Sequence, residues 1–448
     1  MQPYTALLEN KKIDFSIKTV GKPTLNSPLK DCVFIKDSQK ICWPTKTEDI
    51  NAFLKERKTI PVPAFQQAGP REKIFYDPSW TRAAIVTCGG LCPGLNDVIK
   101  GIVNTLSQEY GVKNIFGIRY GYRGLIPSYG YEPLNLTPEM VDGIHENAGT
   151  ILGASRGQQD TLKMIESLRR LNISMLFCIG GDGTLRCAGE IADEIKKQKL
   201  PISIIGIPKT IDNDLNFIDR TFGFETAIYA AAPVISCAHD EAKGAHNGIG
   251  LVKLMGRDSG FIAAQTSLAN SYVNFCLIPE TNFEMDGENG LLKALEKRLK
   301  AKAKNQPHAV VVVAEGAGQN LIKDDSPIQN DASGNIKKKD IGVFIKDKIN
   351  KYFSEKSIDV SVKYFDPSYM IRSVPARGTD AVFCYMLAHN AVHAAMAGKT
   401  NMVVGHWNSY FTHVPIKLAT MKRRKVNIKS PLWQAVLAST RQSEYWQE

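Results

Sequence analysis

Ile202-Ser-Ile-Ile-Gly206 runs straight into Ile207-Pro-Lys-Thr-Ile-Asp-Asn-Asp214, and the reading of the fold starts at this junction. The first five residues read as a buried strand, which Pro208 stops, and Asp212 and Asp214 then follow two residues apart. In an extended segment that spacing puts both carboxylates on one face. Paired acids just past the carboxyl end of a strand stand where open α/β sheets place their ligands. One can accept a proton while the other holds a metal or a second hydroxyl. Taken alone, an Asp-x-Asp loop is more often a turn in contact with solvent, so the decision passes to the neighbouring motifs.

Working outward, the same strand–loop–helix pattern recurs. Ala83-Ala-Ile-Val86 reads as a strand, Thr87-Cys-Gly-Gly-Leu-Cys-Pro-Gly94 as a loop, and Leu95, Val98, Ile99, Ile102, Val103 and Leu106 as one helix face. Backbone N–H groups at such a helix start can meet a phosphate. A second glycine-rich loop, Gly149-Thr-Ile-Leu-Gly-Ala-Ser-Arg-Gly157, precedes a helix from about residue 160. The strand Met175-Leu-Phe-Cys-Ile179 empties into Gly180-Gly-Asp-Gly-Thr184. There the glycines allow close backbone approach, and Asp182 can hold a divalent cation between phosphates at the positive end of a helix.

Past Asp214 the strand Gly248–Leu254 ends in Met255-Gly-Arg-Asp-Ser-Gly260, and Ala309–Ala314 ends in Glu315-Gly316. Helices are expected near 222–238, 290–303, 341–353 and 379–397, and further strands over 273–278, 358–365 and 401–405. Residues 317–340 read as an exposed, basic insertion.

Alternation of this kind implies parallel sheets with helices on both faces. It continues for too long to make one sheet, so the expected fold is α/β in two similar lobes with the active site in the cleft between them. The expected divisions are an accessory segment over 1–78 and a nucleotide-binding lobe over 79–220, completed by about 379–405. A sugar-phosphate-binding lobe over 221–378 and a carboxyl-terminal extension over 406–448 follow.

Composition narrows the function classes. No stretch approaches the roughly 18 apolar residues of a membrane helix, the amino terminus lacks a signal pattern, and no peroxisomal address closes the chain, so cytosol is the expected compartment. Nine cysteines without framework spacing do not describe a disulfide scaffold, and Cys88 and Cys92 read as reduced thiols. The net charge of +11 suits an anionic partner. The basic runs Lys337-Lys-Lys339 and Lys422-Arg-Arg-Lys425 interleave no aromatics and read as solvated faces, so neither nucleic acid nor a membrane is expected. His393-Ala-Ala-Met-Ala-Gly-Lys-Thr400 approaches a P-loop pattern but falls at a helix end, with Gly398 as its cap, and is a false match. Arg257, Arg372 and Lys363 are candidate grips for a sugar phosphate.

Together these motifs resemble the phosphofructokinase family across about residues 80–400. GGDGT occurs in NAD kinases and diacylglycerol kinases too, but GIPKTIDND followed by MGRDSG is characteristic of phosphofructokinases. The resemblance implies two Rossmann-like lobes and transfer of the γ-phosphoryl of a nucleotide to the 1-hydroxyl of fructose 6-phosphate, with Mg²⁺ as cofactor. By the same resemblance Asp212 is the base, Thr210 and Asp214 hold the sugar, and Asp182 is linked to the metal. Gly89, Gly90, Arg156, Gly181, Asp182, Gly183 and Thr184 line the nucleotide phosphates, with Thr210, Arg156 and Lys209 also counted among the catalytic residues. Met255, Gly256, Arg257 and Glu315 form the sugar pocket, and Arg372 holds the 6-phosphate. Lys363 and Tyr369 stand where bacterial members carry an arginine and a histidine. Gly248 stands where they carry an arginine from a neighbouring subunit.

The donor rests on two positions. Pyrophosphate-dependent members carry aspartate at the position of Gly183 and lysine at that of Lys209, whereas bacterial ATP-dependent members carry glycine at both. Gly183 weighs more, because a carboxylate there would crowd and repel the α-phosphate of ATP. The hybrid is similar to an ATP-dependent branch typified by trypanosomatids. The resemblance therefore implies ATP and fructose 6-phosphate as substrates and a homotetramer.

Overall fold

The structure is a computed structural model that describes residues 13–56, 62–301, 306–322, 329–330 and 336–445. It separates into two compact units. The first comprises the described residues up to Thr210 together with Leu215–Gly223 and Pro375–Lys422. The second comprises Ile211–Asp214, Phe224–Val374 and the described residues from Arg423 onward.

The first unit is built on a nine-stranded sheet. Its centre is five parallel strands in the spatial order Met402–Trp407, Ser203–Pro208, Met175–Gly180, Arg82–Thr87 and Asn114–Ile118. Met175–Gly180 and Ser203–Pro208 are buried at every residue, which explains why they read as unbroken apolar runs rather than alternating ones. The strand order reverses between Arg82–Thr87 and Met175–Gly180, because the strand that follows Arg82–Thr87 in sequence lies on its other side. The loops leaving these two strands, 88–94 and 181–184, therefore open onto the switch point of the sheet, where such folds bind ligands.

Part of the segment expected as accessory belongs to this sheet. Ala64–Gln67 pairs with Tyr410–Pro415 and with Lys40–Cys42, extending the sheet by antiparallel edge strands. Phe65 is fully buried there, in edge-on contact with Phe15 at 5.1 Å and Phe217 at 5.9 Å, and 5.8 Å from Trp407. Asp37 binds Arg71 at 2.8 Å and Lys399 at 2.6 Å, tying the amino-terminal residues to the end of the Thr379–Met396 helix. Edge strands of three or four residues have too short a period to announce themselves in a sequence.

The expected extension from residue 406 also divides differently. Met402–Trp407 turns back through Asn408 and Ser409, both at positive φ, into Tyr410–Pro415, a two-residue hairpin whose twist matches the strands it joins. The chain then passes to the second unit at Arg423.

The second unit carries a four-stranded parallel sheet in the order Phe275–Leu277, His308–Ala314, Gly248–Leu254, Ser361–Phe365. The helices Phe224–Gly244, Phe261–Asn270, Leu291–Ala301 and Ile341–Glu355 belong to this unit. Part of the expected insertion at 317–340 lies outside the described residues. No helix among the described residues is long and apolar enough to cross a membrane.

Because Phe65 fills a site walled by rigid aromatic rings, little collapse can follow its truncation. Phe65→Ala is expected to destabilise the first unit by about 3–5 kcal/mol, read from denaturant unfolding; a loss under about 1 kcal/mol would mean that the amino-terminal strands do not stabilise the sheet.

Candidate active site

The residues expected to face phosphates gather at the switch point of the first unit. Gly89 donates its amide to the Ser155 carbonyl at 2.9 Å, and Thr87 donates its hydroxyl to the Gly153 carbonyl at 2.7 Å. The glycine-rich loop 149–157 is thereby laid beside the loop after Arg82–Thr87, and Arg156, exposed, follows directly. Gly89 has φ near +87°, and a Cβ there would lie 3.1 Å from the Lys209 ammonium. Lys209 is buried, and its Nζ donates to the Gly90 carbonyl at 2.8 Å, while its backbone amide donates to Gly180 at 3.1 Å. Gly90, Gly180 and Lys209, far apart in sequence, thus make one cradle.

Gly181 precedes the Asp182–Lys197 helix, whose first residue is Asp182. The Asp182 carboxylate is shielded from solvent and paired with Arg186 one turn on. Tyr122 donates its hydroxyl to the Thr184 carbonyl at 3.0 Å, holding the first turn against the sheet. A Cβ added at Gly183 would meet no heavy atom within 4 Å, and Gly183 is exposed with no positive φ. Neither packing nor backbone conformation calls for glycine there.

The resemblance implies Mg²⁺. A cation of this kind uses one or two carboxylates plus substrate phosphates rather than an all-protein cage. A single shielded carboxylate at a helix start fits that role, provided Arg186 releases it.

The chain enters the second unit at Ile211. A turn at residues 211–212 and a left-handed Asn213, φ 52°, replace the extended segment expected from the sequence. The two carboxylates lie close enough to interact, yet differ in surroundings. Asp212 is pushed up to about 8 by burial first, then by the charges of Asp214 and Glu315. Its own carbonyl accepts the Ser259 hydroxyl at 3.1 Å. Asp214 is almost wholly buried and forms an ion pair with Arg423, while its carbonyl accepts the Arg424 amide at 2.7 Å.

Around this pair the loops after Gly248–Leu254 and His308–Ala314 are stitched together. Glu315 donates its amide to Leu254 at 2.9 Å and Gly316 donates to Gly256 at 3.1 Å, so Met255, Gly256, Arg257 and Glu315 lie together. Burial raises the Glu315 carboxyl, against the opposing pull of Arg257, Lys253, Arg372 and Lys338. Four cations around one acid make a pocket suited to an anionic sugar. Arg372 stacks on the exposed Tyr369 ring at 4.7 Å. Lys363 stands apart: it is exposed in mid-strand, level with Gly250 rather than with the strand ends.

Three charged residues beside these loops escaped sequence reasoning. Lys253 bridges Asp340 at 2.9 Å and Asp366 at 2.8 Å, and its signal was a lone charge in an otherwise apolar strand. Lys338 and Arg423 both reach Asp258, at 3.8 and 3.3 Å, yet each belongs to a basic run read as a solvated face. Arg423 is set in place by its neighbours, Arg424 over the Phe261 ring at 4.6 Å and the Val426 amide on Glu280 at 2.8 Å.

Comparison with known proteins identifies the family. The family model described as Phosphofructokinase matches residues 82–395. The chain is 48% identical over 444 residues to the ATP-dependent 6-phosphofructokinase of Borreliella burgdorferi, covering 97% of this chain and 98% of that one. It is 43% identical over 442 residues to the enzyme of that name from Amycolatopsis methanolica, covering 95% and 94%. Among solved structures, a pyrophosphate-dependent phosphofructokinase from Marinobacter aquaeolei has a similar fold, with a TM-score of 0.63 at 20% identity over 80% of this chain and 91% of that one. The Pichia pastoris phosphofructokinase in the T-state gives 0.61 at 20% identity over 87% and 41%. With the family model spanning most of the chain and relatives matched nearly end to end, this chain belongs to the phosphofructokinase family.

Proposed function

We propose that the protein is an ATP-dependent 6-phosphofructokinase, transferring the γ-phosphoryl of ATP to the 1-hydroxyl of fructose 6-phosphate. The observation that carries the reaction is Asp212, a buried carboxylate with a raised pKa beside a pocket of four cations. Near-full-length relatives named ATP-dependent 6-phosphofructokinase support the donor, as does Gly183, where glycine is not required by the fold.

In this reading Asp212 accepts the proton of the 1-hydroxyl as that oxygen bonds to the γ-phosphorus and the bond to the ADP oxygen breaks. Arg257, Glu315 and Arg372 hold the sugar phosphate, with Lys253 and Lys338 supplying further positive field. Thr210 and Asp214 position the reacting end, and Met255 and Gly256 shape its wall. Tyr369 supports Arg372, and Lys363 is left as a peripheral charge. On the donor side Gly89, Gly90, Gly181, Gly183 and Thr184 let backbone amides approach the phosphates, and Arg156 and Lys209 neutralise charge on the transferring group. Bound at Asp182, Mg²⁺ would offset phosphate charge during transfer. A cytoplasmic homotetramer is part of the same proposal.

The donor is tested with Gly183→Asp. The fold has room for the side chain, so the variant should unfold like the parent while its kcat/KM for ATP falls by about 10² or more. An unchanged ATP rate, or parental turnover with pyrophosphate but not ATP, overturns the assignment.

A base with a raised pKa must lose its proton before it can act. Below about pH 8 the free-enzyme kcat/KM should therefore climb about tenfold per pH unit, and Asp212→Ser should lower the rate by about 10² or more and abolish that limb. Turnover near the parental level removes Asp212 from the role.

Arg423 opposes the rise of the Asp212 pKa. Replacing it with alanine should shift the acidic limb to higher pH, and Arg423→Lys, which keeps the charge if alanine impairs folding, should shift it less. A limb that stays in place in both variants would limit Arg423 to folding.

A further inference from the structure

On the first unit, away from the loops described above, lies a cluster that phosphoryl transfer does not use. Glu109, His389 and His393 each offer a ligand atom, and these atoms all lie within 4.8 Å of one another. His389 and His393 are one helical turn apart on Thr379–Met396, so both rings leave the same face, with centroids 4.1 Å apart. Glu109 comes from the other side, at the end of the helix that begins at Leu95. That helix departs from α geometry over Thr105–Glu109, a π-turn, a feature that often marks functional sites.

Its location follows from the topology. The Leu95 helix starts at the carboxyl edge of the sheet, beside the phosphate-facing loop, and by Glu109 it has run back to the amino edge. Metal at this cluster would therefore stand at the edge opposite Gly89 and Gly183.

A second observation points to a ligand. His393 is buried, its Nδ1 is hydrogen-bonded to the Tyr110 hydroxyl at 2.8 Å, and its Nε2 is buried with no hydrogen-bond partner among the described residues. Buried ring nitrogens are ordinarily satisfied. A metal-bound imidazole has this arrangement, one nitrogen fixed by a supporting hydrogen bond and the other presenting its lone pair. His389 Nε2 lies 3.0 Å from the Glu109 carboxylate, so two candidate ligands already sit at ligand-to-ligand spacing. Tetrahedral ligands of zinc at 2.0–2.2 Å from the metal stand roughly 3.3 Å apart. Modest side-chain rotation of the half-buried Glu109 and His389 toward His393 would complete the set.

We propose that Glu109, His389 and His393 form a binding site for a divalent transition-metal ion of the zinc type, clamping the Thr379–Met396 helix to the Thr105–Glu109 turn. Two imidazoles and a carboxylate suit Zn²⁺ rather than Mg²⁺ or Ca²⁺, which prefer all-oxygen shells. Three protein ligands leave a fourth position for water.

The test uses the full-length protein, stripped with chelator and titrated with Zn²⁺ alone against a competing chromophoric chelator. One equivalent should bind, the thermal midpoint should rise with zinc, and zinc-edge X-ray absorption should show nitrogen or oxygen neighbours at about 2.0–2.1 Å. His389→Ala and Glu109→Gln, both checked for native circular dichroism, should each weaken that equivalent by at least about 10–100-fold, the range that even supporting partners contribute. Glu109→Gln retains the shape of the side chain and keeps the test alive if His389→Ala fails to fold. Sulfur neighbours at about 2.3 Å would place the metal on the protein's cysteines and overturn the proposal. So would full zinc affinity in both variants, or no zinc binding by the parent chain.

Discussion

The site on the second unit depends on one ion pair, Asp214 with Arg423. Asp212, Asp214, Asp258 and Glu315 crowd adjoining loops, and carboxylates wholly or partly withdrawn from water would repel one another without counter-charge. Arg423 answers both Asp214 and Asp258, and Lys338 answers Asp258 from another direction. Removing Arg423 would take a counter-charge away from a carboxylate that is almost wholly buried. The pair also separates the two aspartates chemically. Asp214 sits beside a guanidinium, whereas Asp212, next to Asp214 and Glu315, is pushed toward its neutral form. Two acids two residues apart are thereby given different surroundings.

The same economy governs the donor side. Parallel strands buried on both faces leave ligand chemistry only at their carboxyl ends, and the reversal of strand order opens a crevice between Arg82–Thr87 and Met175–Gly180. Lys209 spans that crevice from Gly180 to Gly90, making one cradle from strands that are neighbours in space and distant in sequence. Gly89 is required by its backbone conformation; Gly183 is not. That contrast turns Gly183 from a structural glycine into a statement about the donor.

Much of this was legible in the chain. Each glycine-rich loop was recognisable because a long apolar run ended abruptly beside it, and the spacing of five such loops carried the family. Less legible were the short antiparallel edge strands around Phe65, the hairpin at Asn408 and Ser409, and the basic runs at 337–339 and 422–425. The first two lack enough residues to show a period. The last could not be told from solvated faces, because a lysine or arginine reads alike in sequence whether it meets water or a carboxylate.

By itself, then, the sequence determined which residues could do chemistry and at which strand ends they would stand, since burial imposes apolar runs and ligand loops interrupt them. The Gly206–Asp214 stretch was identified on those grounds. Only the tertiary structure decided how Asp212 and Asp214 differ, because the difference comes from burial and from Arg423 and Glu315, which arrive from distant segments. It likewise decided that Lys253 bridges Asp340 and Asp366, and that Glu109 meets His389 and His393. Electrostatic environment is a property of what packs nearby in space, and no local pattern of residues encodes it.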